Sequence, residues 1–202
     1  MPWQSPRGHR ESFSERRERR AAIDDPDVVL NAAARFLEVR PRSVDEVRRH
    51  LTVAGYREDL VESAVARLLE LSMLDDRTFG QTWVESRDRA RPRGESAIRQ
   101  ELARKGLDRE LIREILDARH GDGDGDGDGG AEGASASPDE LAAERLLRKR
   151  AAALSRVSDP RERRNRAYAL LARNGFDPEI CRKLSQHAIL QDQESGANDT
   201  EP

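Results

Sequence analysis

The chain has 202 residues, of which 37% are charged and only 4% aromatic, so a thick globular core is not expected. The single cysteine, Cys181, excludes an internal disulfide and favours a reducing compartment, so we expect a cytoplasmic protein. No apolar run approaches the roughly 18 residues that a membrane helix needs. The net charge of −3 is unevenly distributed, so local patches decide which partners the chain attracts.

The apolar residues recur at intervals of three and four, which predicts an all-α protein because this is the helical period. Residues 1–25 are polar and rich in arginine, and we expect a disordered or loosely helical basic arm there. The next helix is predicted at about residues 26–39. Ser43 and Glu46 have the spacing of a capping box for a further helix, and a third carries a broad apolar face at residues 60–69.

Three glycines mark an internal repeat. Gly55, Gly106 and Gly175 each follow a leucine four positions earlier and directly precede an aromatic or aliphatic residue. The first two lie 51 positions apart and the last two 69, but without the 17-residue insert at 121–137 the second spacing is 52. This regularity predicts three tandem three-helix repeats, helix-turn-helix-like, that stack into an elongated curved molecule.

We therefore divide the chain into a disordered basic arm, repeat 1, repeat 2, a Gly/Asp-rich flexible linker, repeat 3 and a disordered acidic tail. In that order the segments are residues 1–25, 26–74, 75–120, 121–137, 138–190 and 191–202. The linker aspartates resemble the start of a calcium loop, but Gly133 stands where a bidentate Glu is required. No Cys or His has metal-ligand spacing, and no phosphate-loop or nucleophile motif occurs. We expect no metal, no cofactor and no enzymatic activity.

Basic clusters are the remaining candidates for chemistry, beginning with arginines at alternate positions from Arg87 to Arg93. Clustered guanidiniums suit phosphates or an acidic protein face. The competing interpretation is a solvated helix face with i to i+4 pairs, such as Glu95 with Arg99. The candidate filament- or DNA-binding residues are Arg87, Arg89, Arg91, Arg93, Arg99, Arg104, Lys105, Arg148, Lys149, Arg150, Arg163, Arg164 and Arg166.

Three segments resemble the RecX family of recombinase regulators. They are RPRSVDEVRRHLTVAGY at 40–56, LSMLDDRTFGQTWVESR at 71–87 and RGESAIRQELARKGLD at 93–108. The resemblance is close from Leu30 to Leu116 and looser in repeat 3. It implies a fold of tandem three-helix repeats, in agreement with the spacing of the glycines.

The resemblance also implies partners and a function. RecX-like proteins bind the RecA recombinase and its filament on single-stranded DNA, lie along the filament groove and inhibit ATP hydrolysis and strand exchange. From this resemblance we expect a role in homologous recombination, DNA repair and the SOS response. We also expect a monomer that contacts RecA filaments, with direct DNA contact as a further option and no membrane partner.

Two other interpretations stay open. A DNA-binding protein of helix-turn-helix geometry fits the turns at Gly55 and Gly106 loosely, although Glu58 and Asp108 open third helices that are acidic. The other is a structural scaffold with no link to nucleic acid. The insert at 121–137 also leaves the stacking of repeat 3 on repeat 2 undetermined.

Overall fold

The computed structural model describes residues 11–121 and 136–186, and these residues form ten α-helices and no β-strand, which confirms the predicted all-α class. The chain divides into two compact units, residues 1–79 and 80–202. The helices are α1 (Phe13–Ala21), α2 (Pro26–Val39), α3 (Val44–Ala54), α4 (Glu58–Glu70), α5 (Asp76–Ala90), α6 (Glu95–Arg104), α7 (Arg109–Gly121), α8 (Pro138–Leu154), α9 (Pro160–Arg173) and α10 at residues 178–186. Residues 1–10, the Gly/Asp-rich stretch 122–135 and the predicted acidic tail lie outside the described residues.

Short polar residues set the helix starts, as the sequence predicts. Helix α2 spans Pro26–Val39, and the carboxylate of Asp25 accepts a hydrogen bond from the amide of Asp27 at 2.9 Å. The Ser43 hydroxyl accepts from the amide of Glu46 at 3.1 Å, and the Glu46 carboxylate accepts from the amide of Ser43 at 3.3 Å. The predicted capping box is therefore present at the start of α3.

The three repeat glycines have the same backbone geometry. Gly55, Gly106 and Gly175 have φ angles of 101°, 83° and 82°, in the left-handed region that favours glycine. The residue after each glycine donates its amide to the carbonyl of the leucine four positions before that glycine, at 3.3, 3.3 and 3.4 Å. Each of these leucines is fully buried. The spacing found in the sequence therefore corresponds to one repeated helix-ending turn.

The first unit has its core where α2, α3 and α4 meet. Its fully buried side chains include Val29, Val47, Leu51 and Leu68. The predicted broad apolar face of α4 is wrong at one position, because Leu69 is 45% exposed. Leu69 follows Leu68 by one residue, a rotation of about 100° that places it outside the contact with α2 and α3.

Part of the predicted basic arm is helical. Ser12 caps α1 with a capping box, in which its hydroxyl accepts from the amide of Glu15 at 3.2 Å. Arg20 donates to the carbonyl of Ala54 at 3.3 Å and lies 5.6 Å from the centre of the Tyr56 ring. A cation beside the last carbonyls of α3 also favours this contact through the helix dipole. Of the two possibilities expected for the arm, disordered or helical, residues 13–21 are helical.

Two aromatic rings, those of Phe36 and His50, stack on each other in repeat 1. The rings of Phe36 and His50 are nearly parallel with centroids 3.8 Å apart, and the Arg42 guanidinium lies 4.0 Å from the Phe36 ring centre. Burial lowers the pKa of His50, and the nearby charges of Arg42 and Arg20 lower it further. The imidazole is therefore held in its neutral form more firmly than in an unfolded chain.

In the second unit, repeats 2 and 3 approach through small residues. The amide of Gly94, just before α6, donates to the carbonyl of Asn174 at 3.0 Å. A Cβ on Gly94 would overlap the carbonyl of Gly175, and a Cβ on Gly175 would overlap Ala97. Since Gly94 has a φ of −73°, which any residue adopts, close approach and not backbone conformation requires glycine there. The insert at 122–135 therefore does not prevent repeat 3 from packing on repeat 2.

Replacing Gly94 separates local preference from this packing. Serine is a better helix N-cap than most residues, so local rules predict that Gly94→Ser stabilises α6. The overlap with Gly175 predicts the opposite, a loss of about 1–3 kcal/mol from overpacking. Urea unfolding followed by circular dichroism measures the difference, with Ser96→Ala, an exposed change two residues away, as the control. A Gly94→Ser protein as stable as the wild type would contradict the close approach.

The His50 stack predicts a pH dependence of stability. Because the folded pKa lies below the ordinary 6.5, the unfolded chain takes up a proton first as the pH falls. The free energy of unfolding should therefore decrease as the pH drops below about 6.5, towards the lowered pKa of the folded state. His50→Phe keeps a ring against Phe36 and should flatten this slope in urea titrations between pH 7 and 5.5. An equal slope in both proteins would show that His50 does not cause it.

Candidate functional site

A half-buried tryptophan connects α5 to α6. The Trp83 Nε1 donates to Glu101 Oε2 at 2.9 Å, and Arg87 Nε donates to the same oxygen at 2.5 Å. The Arg87 guanidinium lies 4.3 Å and Lys105 Nζ 4.7 Å from the centre of the Trp83 ring. The other carboxylate oxygen of Glu101 is 3.8 Å from Arg93 Nε. Three of the predicted site residues are thus gathered around one tryptophan and one carboxylate inside repeat 2.

The other two arginines of the alternating run are exposed. The Arg89 side chain is 75% exposed, with a 3.4 Å contact to Glu85. Arg91 is exposed, and its side chain makes no hydrogen bond or ion pair within the described part of the chain. The carbonyl of Ala90, which lies between these two, accepts from Lys149 Nζ at 2.8 Å. The Lys149 side chain therefore links α8 of repeat 3 to the end of α5.

This contact unites two basic clusters that are far apart in the sequence. Arg148 and Arg150 flank Lys149 on α8, and both are exposed without a hydrogen-bond or ion-pair partner among the described residues. We call Arg89, Arg91, Arg148, Lys149 and Arg150 the composite basic face. Within this face Arg91, Arg148 and Arg150 have no acidic partner among the described residues, which suits their guanidiniums to bidentate contacts with phosphates or with carboxylates of a partner protein.

Four of the five remaining candidates have contacts within their own repeat, and Arg164 is the exception. Three of them contact the residue four positions earlier on the same helix: Arg99 with Glu95, Arg104 with Gln100, and Arg166 with Glu162. These contacts match the solvated-face interpretation. Arg163 donates from Nε and Nη2 to the carbonyl of Val157 at 3.0 and 2.9 Å, whereas Arg164 is exposed without such a partner among the described residues.

An open groove of about 430 Å³ runs between α8 and α9. Leu154 and Leu170 line it together with Arg150, Arg166 and Arg173. Arg150 thus belongs to both the groove and the composite basic face. Arg173 was not among the candidates from the sequence, where it stands apart from the arginine clusters.

Sequence reasoning also missed a buried ion cluster where repeats 2 and 3 meet. Arg119 on α7 donates from Nε and Nη2 to Asp88 at 3.0 and 2.8 Å, and from Nη1 to Asp139 at 2.6 Å. The side chains of Arg119 and Asp139 are only 5% and 7% exposed. Burial opposes the charge of Arg119, but its pKa is raised because the bonds and charges of the two aspartates outweigh burial. Asp139 also accepts from the amide of Glu95 at 3.0 Å.

Within residues 11–121 and 136–186, no group of three or more His, Cys, Asp or Glu side chains is placed to hold a metal ion. The aspartate series that suggested a calcium loop lies at 122–128, outside these ranges. None of the described helices is both long and apolar enough to span a membrane. Arginine and lysine side chains are the candidate binding groups that remain on the described surface.

Comparison with known proteins identifies the family. Models of the first, second and third three-helix domains of RecX match residues 30–68, 75–116 and 139–184. The regulatory protein RecX of Pelodictyon phaeoclathratiforme is 29% identical over 173 residues, covering 86% of this chain and 94% of that protein. The regulatory protein RecX of Mycolicibacterium smegmatis is 37% identical over 86 residues, which span 43% of this chain and less than half, 46%, of that protein.

The fold agrees with solved structures of the same family. The crystal structure of RecX from Lactobacillus salivarius aligns with a TM-score of 0.64 and 22% identity, covering 83% of this chain and 98% of that one. A crystal structure of another regulatory protein RecX aligns with a TM-score of 0.59. The family models match in order, and together they cover more than half of the chain. This chain therefore belongs to the RecX family, whose members compared here are regulatory proteins.

Proposed function

We propose that this protein binds the RecA recombinase and its filament on single-stranded DNA, and that it inhibits ATP hydrolysis and strand exchange. It acts as a cytoplasmic monomer in homologous recombination and DNA repair, without a cofactor. Membership of a family of regulatory proteins supports the regulatory role. The composite basic face supports a polyanionic or acidic partner, and it is the observation on which this proposal depends most.

The assignment of the binding residues follows from which charges are already neutralised. Arg87 and Arg93 form ion pairs with Glu101, and Arg163 donates a hydrogen bond to a backbone carbonyl. Arg91 and Arg148 are exposed with no such partners within the described residues. A guanidinium that is already paired gains less from a new anion, because it must first give up its existing bonds. We therefore place the filament contact at the composite basic face, and we assign Arg87 to the internal structure of repeat 2 and Arg93 to the contact between repeats 2 and 3, where it donates to Asn174.

Opposite charges on different repeats suggest how binding inhibits turnover. Residues 24–86 carry 8 basic and 13 acidic residues, whereas residues 138–190 carry 12 basic and 7 acidic residues. A chain with an acidic and a basic part can contact two neighbouring protomers of a filament through surfaces of opposite sign. Such a bridge would hinder the movements between protomers that ATP turnover requires.

Direct DNA binding by helix-turn-helix geometry is the competing function. In that geometry the third helix of a repeat enters the major groove. The exposed residues of α4 and α7 include Glu58, Asp59, Glu62, Glu110, Glu114 and Asp117. Acidic side chains would repel the phosphates on both sides of a groove, so the third helices are poor candidates for binding in the major groove.

We also retain residues 26–74, 75–120 and 138–190 as the proposed bounds of the three repeats.

The first prediction from the proposed function concerns the ATPase of RecA. Hydrolysis that depends on single-stranded DNA should fall when this protein is added far below one copy per RecA protomer, because one bound copy contacts several protomers. The measurement is a steady-state ATPase titration with the cognate RecA. If hydrolysis is unchanged even with this protein in excess, the proposed function is wrong.

A second prediction tests the composite basic face. Arg91→Ala/Arg148→Ala removes two unpaired guanidiniums, and it should weaken binding to filaments at least tenfold if each contact contributes about 1 kcal/mol. Arg35→Ala/Arg109→Ala is the matched control, because both residues are exposed without a hydrogen-bond or ion-pair partner in the described part of the chain. Fluorescence anisotropy with labelled filaments measures both. Equal affinities of the two variants would exclude this face as the contact.

The same titration without RecA tests the competing function. Binding to labelled single-stranded or double-stranded DNA alone, with a steep dependence on salt concentration, would indicate phosphate contacts. If naked DNA binds as tightly as the filament, the helix-turn-helix interpretation or simple coating of DNA gains over recognition of RecA. Much tighter binding to the filament favours our proposal.

A further inference from the structure

The composite basic face exists only where repeat 3 lies against repeat 2, and this docking depends on a few buried polar groups. Asp88 and Arg119 belong to repeat 2, and Asp139 belongs to repeat 3. One guanidinium bonds both carboxylates at 2.6–3.0 Å. A planar guanidinium can serve two carboxylates at once, whereas a lysine ammonium lacks this fixed fork of donors.

Asp139 also completes a helix of the neighbouring repeat. The N-cap of α6 is Gly94, which makes no side-chain cap, and the close approach to Gly175 leaves no room for one. The second carboxylate oxygen of Asp139 instead accepts from the amide of Glu95, the first residue of α6, at 3.0 Å. Asp139 therefore provides from repeat 3 the hydrogen-bond acceptor that repeat 2 lacks.

A second contact of the same kind occurs at the start of α3. Ser43 stands twelve positions before Gly55, as Gly94 stands twelve before Gly106. The amide of Val44, which follows Ser43, donates to the carboxylate of Asp76 at 2.9 Å. Asp76 is the first residue of α5, and Asp139 is the second residue of α8. An aspartate at the start of one repeat thus bonds the second helix of the preceding repeat at two places in this chain.

We propose that Asp88, Arg119 and Asp139 form an inter-repeat clamp that fixes repeat 3 on repeat 2 and thereby positions the composite basic face. The clamp positions binding residues and does not contact the partner itself. This inference rests on the proposed function only for the identity of the ligand; the docking is a separate, measurable property.

The energetics explain why the clamp determines the docking. Loss of one partner of a buried ion pair leaves the other charge without water or a counterion, which is strongly destabilising. Three further hydrogen bonds join the repeats in the described part of the chain, namely Gly94 to Asn174, Arg93 to Asn174 and Lys149 to Ala90. Each of these groups can bond to water when the repeats separate, so these hydrogen bonds alone hold the repeats weakly.

The test measures the docking directly and uses the full-length chain. Cysteines replace the exposed Ala103 on α6 and Ala152 on α8, and the buried Cys181 is changed to Ala in every version. Spin labels at the two cysteines then report the distribution of distances between repeats 2 and 3. The wild-type clamp should give one narrow distribution, and Arg119→Met or Asp139→Asn should broaden it. Circular dichroism confirms that each variant remains helical.

The control uses the same helix as Arg119. Arg113 lies six residues before Arg119 and forms an exposed ion pair with Glu110. Arg113→Met breaks this pair and should leave the distance distribution narrow. Arg119→Lys keeps the charge but not the two-sided fork, so it should broaden the distribution as well. A distribution that stays narrow in both Arg119→Met and Asp139→Asn would overturn the clamp.

Filament binding provides the second measurement. If the face must be assembled to bind, the clamp variants should lose affinity roughly tenfold or more, because its two halves no longer act together, while Arg113→Met should not. A broadened distribution with unchanged affinity would overturn the positioning role. If even the wild-type protein fails to bind filaments, the proposed function is wrong, yet the spin-label distances still decide whether the clamp exists.

Discussion

The carboxylate of Asp139 lies where two neighbours both require it. One of its oxygens bonds the buried guanidinium of Arg119, and the other caps the amide at the start of α6. Arg119 is buried and charged, and Asp88 accepts only from its Nε and Nη2, so Nη1 depends on Asp139; Gly94 has no side chain with which to cap its own helix. Because a buried charge and an unbonded helix amide are both costly, this single carboxylate couples the second helix of repeat 2 to the first helix of repeat 3.

The related contact at Asp76 shows what the guanidinium adds. Asp76 also accepts from the first amide of a helix, but Arg119 corresponds to Leu68 in repeat 1, 51 positions earlier. Burial raises the pKa of Asp76, and the bond from Val44 opposes this only in part. Without a buried guanidinium as a partner, a carboxylate in this position fixes the contact between two repeats less firmly. Arg119 therefore gives the contact between repeats 2 and 3 its ionic character, although the long insert separates these two repeats in the chain.

Much of this fold can be predicted from the sequence, because its determinants are local. The span of α2, the capping box at Ser43 and the three positive-φ glycines each depend on residues within one turn of the chain. The candidate site could be predicted only as a set of basic clusters. Pairing of Arg87 with Glu101 was not evident, since the helix pattern does not say which arginines turn towards a neighbouring helix. The sequence did contain one hint. In the alignment of the repeats Gly94 corresponds to the capping residue Ser43, so helix α6 lacks a capping side chain of its own and needs one from elsewhere.

Counting arginines overstates a binding surface in a chain with 37% charged residues. Many of them are paired with an acidic side chain nearby, as Arg99 is with Glu95, and an exposed pair of this kind contributes little to stability or to recognition. What distinguishes Arg91 and Arg148 is the lack of such a pair among the described residues, together with the hydrogen bond from Lys149 to Ala90 that links α8 to the end of α5. Neither repeat contains this face alone. Its existence depends on the docking of two repeats, so a buried aspartate that never touches the partner can control binding as strongly as an exposed arginine that does.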